Sequence, residues 1–312
     1  MTVIRVSAPA TTANLGPGYD CLGMALDIWN TVEVEPLPGG ERPSVSVSGE
    51  GERELEAGPG NLVYRSMEFL YRELARPMPP LQVRCDNEIP LARGLGSSAA
   101  AIAGGRVAAT ALANMTGDGG GFAARDLLEM AATIEGHPDN VAAAVMGGLQ
   151  LVVTEAQDNG QSTLYTVPVS VPAAIHAVLF IPDVRIATAD ARAVLPRQLP
   201  APDAVHNMAR VALLVAGMAT NHPEYLSVAT QDKLHQPYRQ PLFPAMKLLI
   251  KAALDAGALG AFLSGSGSTV LALTQGREMT VAYEMAEAAR QASVEGTVKV
   301  TQPTALGAHL VS

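Results

Sequence analysis

Three stretches of this 312-residue chain gather residue types that could handle a phosphate, a metal ion and a small polar molecule. The first, IPLARGLGSSAAAIAGG at 89–105, places four glycines and two adjacent serines around a run of small helix-formers. It lacks the GK[ST] ending of a Walker A loop. A loop that opens a helix offers N–H groups without internal partners and the positive end of the helix dipole. Gly94 and Gly96 let a ligand approach the backbone, and Ser97 and Ser98 add hydroxyls that can donate to phosphate oxygen. The same residues are also an ordinary way to begin a helix. On its own the stretch reads equally as a phosphate cradle or as a capped helix start.

The second stretch, IEGHPDN at 134–140, sets Glu135, His137, Asp139 and Asn140 within six residues. A carboxylate such as Glu135 suits magnesium, which takes hard oxygen donors and bridges them to phosphates. The alternative is a polar turn in which Asp139 or Asn140 caps the next element. The third, FLSGSGSTVLAL at 262–273, flanks Gly265, Ser266, Gly267 and Ser268 with apolar strands. That is the composition of a loop pressed against a ligand, although a plain hairpin also uses glycine and serine.

The rest of the chain must position these stretches. Hydrophobic residues make up 48% and charged ones 16%, which describes a globular chain with room for two domains or one large one. The net charge of -9 argues against a nucleic-acid binder, which would show a basic face. It leaves a phosphate ligand open, because backbone amides and one magnesium ion can hold phosphate without a basic surface. Cys21 and Cys85 lack metal-like spacing and fit a reducing cytoplasm. The sequence starts without a signal-peptide pattern, and no apolar run spans a bilayer. The expectation is a soluble cytoplasmic protein.

Alternation at 3–7, 31–35 and 44–49 predicts strands, and APATTANLGPGYD between the first two reads as a Pro/Gly loop. Residues 61–74 have helical spacing, and LQVRC at 81–85 is strand-like. Alanine richness predicts a closely packed helix over 97–115, and ARDLLEMAATIE predicts a second. GGLQLVV then returns as a strand. A polar, turn-rich segment at 157–171 marks the domain boundary, giving units at 1–160 and 161–312. Beyond it come a strand (IHAVLFI), a helix at 204–218, a helix after Phe243 and a strand pair around GSGST. A helix at 277–292 and a last strand, TVKVT, complete the chain. Without regular βαβ repetition the class is α+β.

PLARGLGSSAA, EGHPDN and LSGSGST, in this order, resemble the three signature motifs of the GHMP small-molecule kinases. The N-terminal SAPATTANLGPGYDCLGMAL is similar to the homoserine kinase branch of that family. The resemblance runs over the whole chain. It departs at Ser268 and Ala143, where the family has proline, and neither change removes a chemical group.

The resemblance implies two α+β domains with the active site in the cleft between them. It also implies transfer of phosphate from ATP, with Mg²⁺, to the hydroxyl of L-homoserine, a step of threonine biosynthesis. By that likeness Pro90, Leu91, Ala92, Arg93, Gly94, Leu95, Gly96, Ser97, Ser98, Ala99 and Ala100 wrap the ATP phosphates, and Asn61 contacts the adenine. Glu135 and Ser98 hold magnesium. The substrate is expected among Asn14, Asp20, His137, Asn140, Thr188, Arg192, Arg239 and Gly265. Asp20 suits an ammonium, and the two arginines can form forked bonds to a carboxylate. Asn140, Glu135 and His137 are expected at the reacting centre, with His137 as a binding group rather than a base. Phosphoryl transfer depends chiefly on positioning and charge stabilisation. Asp139 is left without an assigned role. A homodimer is compatible with the family. The alternatives are a kinase for mevalonate, a sugar or another alcohol, or a non-catalytic metabolite sensor on the same fold.

Overall fold

The computed structural model describes residues 3–38, 41–115, 117, 122–157 and 162–311. In chain order the first part comprises β1 (Ile4–Asn14), β2 (Gly18–Pro36), β3 (Ser44–Gly49), α1 (Leu62–Glu73) and β4 (Leu81–Asn87). It continues with α2 (Ser97–Met115), α3 (Ala124–Glu135), α4 (Pro138–Met146), β5 (Leu149–Ala156) and β6 (Ser162–Val169). The second part holds β7 (His176–Pro182), α5 (Thr188–Ala193), α6 (Ala201–Ala219), α7 (Leu226–Ala229) and α8 (Gln236–Arg239). It ends with α9 (Met246–Asp255), β8 (Gly260–Leu263), β9 (Val270–Thr274), α10 (Glu278–Gln291), β10 (Gly296–Thr301) and β11 (His309–Leu310). The mixture of largely antiparallel sheets and packed helices is the expected α+β class.

The first sheet runs β11–β1–β2–β4–β3, with β5 paired to β2 and β6 to β5. Only the β3–β4 pair in it is parallel among the described strands. Its helix-facing side is the larger apolar cluster: Val6, Val32, Val34 and Val83 meet Met67 and Leu70 of α1, Ile102 of α2 and Leu128 of α3. Alternation does this directly in β4, where Leu81, Val83, Cys85 and Asn87 point inward and the residues between them do not. The second sheet runs β10–β7–β9–β8 and is antiparallel throughout. One face packs on α9 and α10 through Val178, Phe180, Leu249 and Met285. The other meets the first sheet and α6, where Leu179, Phe262 and Leu271 join Leu22, Met24 and Leu214 in one cluster. The two sheets therefore share a continuous apolar contact, and the polar cleft lies at its edge.

The expected Pro/Gly loop after residue 7 is instead strand as far as Asn14, succeeded by a turn at 15–17 and strand again from Gly18. Proline is tolerated there because the β1–β2 register shifts between Pro9 and Ala10. The polar turn that is the alternative reading of HPDN does not form. Pro138 is the first residue of α4, a position where its missing N–H does no harm. The boundary expected at 160/161 lies outside the described residues. On either side of it β5 and β6 pair from Leu149↔Val169 to Ala156↔Ser162, so the first sheet continues to Val169. It also takes back β11, paired with β1 at Val6 and Ser7. Among the described residues no helix is long and apolar enough to cross a membrane.

Candidate active site

The phosphate-type loop leaves β4 and enters α2 as the sequence suggests. Ala100 N–H bonds the Gly96 carbonyl, so the N–H groups of Ser97, Ser98 and Ala99 precede the first helical bond and have no helical acceptor. Two glycines are obligatory here. At Gly94 (φ +74°) a Cβ would meet the Ser264 carbonyl oxygen at 2.1 Å, and at Gly96 (φ +68°) the Thr11 hydroxyl at 1.8 Å. Both contacts record how closely the loop lies against β1 and the 264–269 turn. Thr11 N–H donates to Leu95 O at 3.0 Å, and Thr269 N–H to Arg93 O at 3.1 Å. The Ser264 hydroxyl donates to Gly94 O at 2.6 Å. Arg93 borders the cleft and reaches to the second part, where its Nε donates to Pro182 O at 2.6 Å.

The α3–α4 connection faces that helix start. Gly136 ends α3 in the left-handed conformation and bonds Ala132 O, which reverses the chain and directs Glu135 and His137 into the cleft. The Ser98 hydroxyl donates to Glu135 Oε2 at 2.5 Å. Among the described residues no group of three or more His, Cys, Asp and Glu side chains forms a metal cage. One carboxylate beside one hydroxyl is a donor set of hard oxygens that fits magnesium. Asn140 is fixed by the Thr11 hydroxyl, which donates to its Oδ1 at 2.7 Å. Its amide N–H groups are thereby left for the cleft that Asn140 lines.

Charged side chains form the opposite wall. Around the turn between β1 and β2, Asn14, Leu15 and Asp20 have positive φ. Asn and Asp accept that conformation readily, and Leu15 is held in it by a fully buried side chain. Asn14 Oδ1 accepts from Asp20 N–H at 3.0 Å, and its Nδ2 donates to Gly265 O at 3.0 Å. Arg192, on α5, donates to both carboxylate oxygens of Asp20 at 3.0 and 2.7 Å and to the Tyr19 hydroxyl at 2.9 Å. Arg239, on α8, is only 2% exposed. Its Nε donates to Ala191 O at 3.0 Å, and its Nη1 to Gly265 O at 2.9 Å and to His235 Nδ1 at 3.1 Å. Thr188 reaches Ser266 Oγ at 3.4 Å beside the same cleft.

Burial decides the charge states behind this wall. Asp139 is 2% exposed, and desolvation pushes its carboxyl up to about 6, against the Asn140 N–H that donates to it at 2.8 Å. Burial, and after it the Asp139 and Asp20 charges, raises the Cys21 thiol to about 11, so it is no thiolate nucleophile at neutral pH. Complete burial lowers His235 to about 4, which keeps its imidazole neutral. The nearby Asp232 does not depend on a histidine cation. It accepts the N–H groups of Leu234, His235 and Gln236 and the Asn207 amide.

One cleft thus gathers Pro90, Ala92, Arg93, Gly94, Leu95, Gly96, Ser97, Ser98, Glu135, His137 and Asn140 with Asn14, Asp20, Thr188, Arg192, Arg239 and Gly265. Leu91, Ala99 and Ala100 are outside the lining; the two alanines are fully buried, and Leu91 is half-buried against Gly51. Asn61 is also outside the lining. It caps α1 by accepting from Val63 N–H at 3.0 Å and donates to Glu56 O at 2.9 Å, so its amide holds the loop before α1. The structure adds Tyr19, Ser266 and Asp139 to the lining and Thr11 and His235 immediately behind it. His235 stands just ahead of α8, four residues before Arg239, and carried no signal of its role in the sequence. Tyr19 and Thr11 carried none either.

Residues 61–148 match the model of the GHMP kinases N terminal domain, and 210–291 that of the GHMP kinases C terminal. A homoserine kinase of Moorella thermoacetica is 42% identical over 311 residues, covering 100% of both chains. One from Synechocystis sp. is 41% identical over 95% of this chain and 94% of its own. The crystal structure of homoserine kinase from Cytophaga hutchinsonii superposes with a TM-score of 0.85 at 30% identity, covering 100% of this chain and 98% of that one. With identities of this size along the full length, and with the motif residues brought into one cleft, the chain belongs to the homoserine kinase family of the GHMP kinases.

Proposed function

We propose that the protein transfers the terminal phosphoryl group of ATP to the hydroxyl of L-homoserine, giving O-phospho-L-homoserine and ADP. The observation that carries this reading is that an amide-rich helix start and a two-arginine, one-aspartate wall open onto the same cleft. The N–H groups of Ser97 and Ser98, which line the cleft, would hold the phosphates with the two serine hydroxyls beside them. Glu135 and Ser98 would hold Mg²⁺, which would neutralise charge on the phosphates. Arg192 and Arg239 take the substrate carboxylate, and Asp20 its ammonium. Asn140, with its oxygen held by Thr11, turns its N–H groups to the substrate hydroxyl and orients it. His137 borders the same centre as a binding group. Asp139 is not required as a base, because a loose phosphoryl transition state depends on alignment and charge stabilisation.

Cys21 and Cys85 are free thiols, which supports a reducing, cytoplasmic setting. Val153, Tyr165 and Val167 stand exposed on one face of the β5–β6 hairpin and offer a surface for a second copy, in keeping with a homodimer. The direct test is ADP release with Mg-ATP and each of L-homoserine, L-serine, L-threonine, mevalonate and galactose. Turnover concentrated on L-homoserine is expected. Preference for mevalonate or galactose would remove the amino-acid assignment of Asp20, Arg192 and Arg239 and leave only the phosphate half standing.

A further inference from the structure

We infer that His235 is a positioning residue for the substrate carboxylate: a neutral imidazole whose bare Nδ1 aims Arg239 into the cleft. The inference rests on the reading of Arg239 as a carboxylate ligand. His235 has no exposed surface and does not line the cleft, so its effect must pass through its neighbours: two ring hydrogen bonds, the Tyr19 ring, and the buried Asp232 carboxylate 3.6 Å from Nε2. Nε2 lies 2.7 Å from the Gly16 carbonyl oxygen, which can only accept. Nε2 therefore carries the proton. Nδ1 lies 3.1 Å from Arg239 Nη1, which can only donate, so Nδ1 offers its lone pair.

A donor count shows what this achieves. A guanidinium has five N–H groups. In Arg239 the Nε hydrogen goes to Ala191 O, and the two on Nη1 go to Gly265 O and His235 Nδ1. The two on Nη2 are left, and Arg239 lines the cleft. The fork is thus tied down on one edge and free on the other. Without the Nδ1 acceptor one Nη1 hydrogen loses its partner, and the buried guanidinium can rotate to find another. The Tyr19 ring, 5.5 Å from the imidazole and 5.5 Å from the Arg239 guanidinium carbon, closes the remaining side. The Gly16 bond also fixes the imidazole to the turn that carries Asn14 and Asp20. The same ring therefore registers Arg239 against that turn.

Two substitutions separate the halves of this role. His235→Gln keeps an amide donor near the Nε2 position and removes the acceptor at Nδ1. His235→Asn places an oxygen acceptor near the Nδ1 position and removes the bond to Gly16. His235→Gln is expected to raise KM for L-homoserine about tenfold, the loss of one oriented hydrogen bond, while KM for ATP and kcat stay within about twofold. His235→Asn is expected to recover most of the homoserine KM. Parallel rises in both KM values, an unchanged homoserine KM in His235→Gln, or an Asn variant no better than the Gln variant would each overturn the inference.

Should either variant fail to fold, nitrogen NMR of the wild-type histidines at pH 7.5 still decides. A neutral His235 protonated on Nε2 is expected, and an Nδ1-protonated or doubly protonated ring would overturn it. Arg239→Gln serves as the control on the underlying reading. If that variant leaves the homoserine KM unchanged, the carboxylate assignment fails. If it raises KM and His235→Gln does not, only the role of His235 fails.

Discussion

The two walls of the cleft solve recognition in opposite ways. The wall assigned to ATP consists largely of main chain, with the N–H groups of Ser97 and Ser98, glycines that admit no Cβ, and one carboxylate paired to a serine. The wall assigned to the amino acid consists of side chains, and of charged ones: Asp20 and Arg192 bound to each other, Arg239 buried, Asp139 buried. A main-chain wall is specified by backbone conformation, so its fidelity depends on residues that lack side chains. A side-chain wall depends instead on neutral groups behind it that hold each charge in place, as His235, Asn14 and Tyr19 do here. The first suits a phosphate tail shared by many reactions, and the second suits one zwitterion among many.

The contrast can be broken where the ATP wall departs from its own rule, at its single carboxylate. Glu135→Gln should lower kcat by about 10³-fold with the fold intact, because magnesium and phosphate placement both weaken. Near-normal turnover at saturating Mg²⁺ would remove Glu135 from the metal site. A smaller loss, about 10²-fold in kcat/KM for ATP, is expected of Gly94→Ala, since its methyl must displace the Ser264 carbonyl. If steady-state kinetics showed only the homoserine KM altered, the two walls would not be separable as described.

The smallest effect concerns the side-chain wall and is read as stability. Burial raises the Asp139 carboxyl to about 6, so the fold favours its neutral form. The stability linked to this group is fully present below the ordinary carboxylate range and is lost as pH rises through about 6. Asp139→Asn should therefore stabilise the protein at pH 7.5 by on the order of 3 kcal/mol, about 5 °C in Tm. The gain should shrink to well under about 1 kcal/mol near pH 4. Melting curves at the two pH values with an equal gain in both would show that Asp139 ionises in the folded protein as freely as in water.

Legibility in the sequence divides along the same line. The helix at 97–115 and the glycines ahead of it could be read because propensity and φ are local properties. Glu135 stood at the end of a recognisable helical pattern. The charged wall was harder to read. Arg239 looks like a surface arginine in sequence, and only the packing of α8 under Ala191 and Gly265 buries it. Tyr19 and Thr11 gain their partners from residues 173 and 129 positions away, which no spacing rule can supply. Proline is hard to place at two positions, Pro9 in a strand that reads as loop and Pro138 at a helix start for which a polar turn is the alternative. Proline usually punctuates, yet a register shift in one case and a helix start in the other make room for it.

The short strand at 309–310 has a consequence for biosynthesis. It covers the outer edge of the first strand at Val6 and Ser7, so that edge has no cover until about 300 further residues have been made. At ribosomal speeds the wait is roughly fifteen seconds to a minute. During it the apolar Ile4 and Val6 lie beside an unpaired backbone, the kind of strand that recruits neighbouring nascent chains. Crowding on a polysome is then a stage at which that uncovered edge can meet the same edge of another chain.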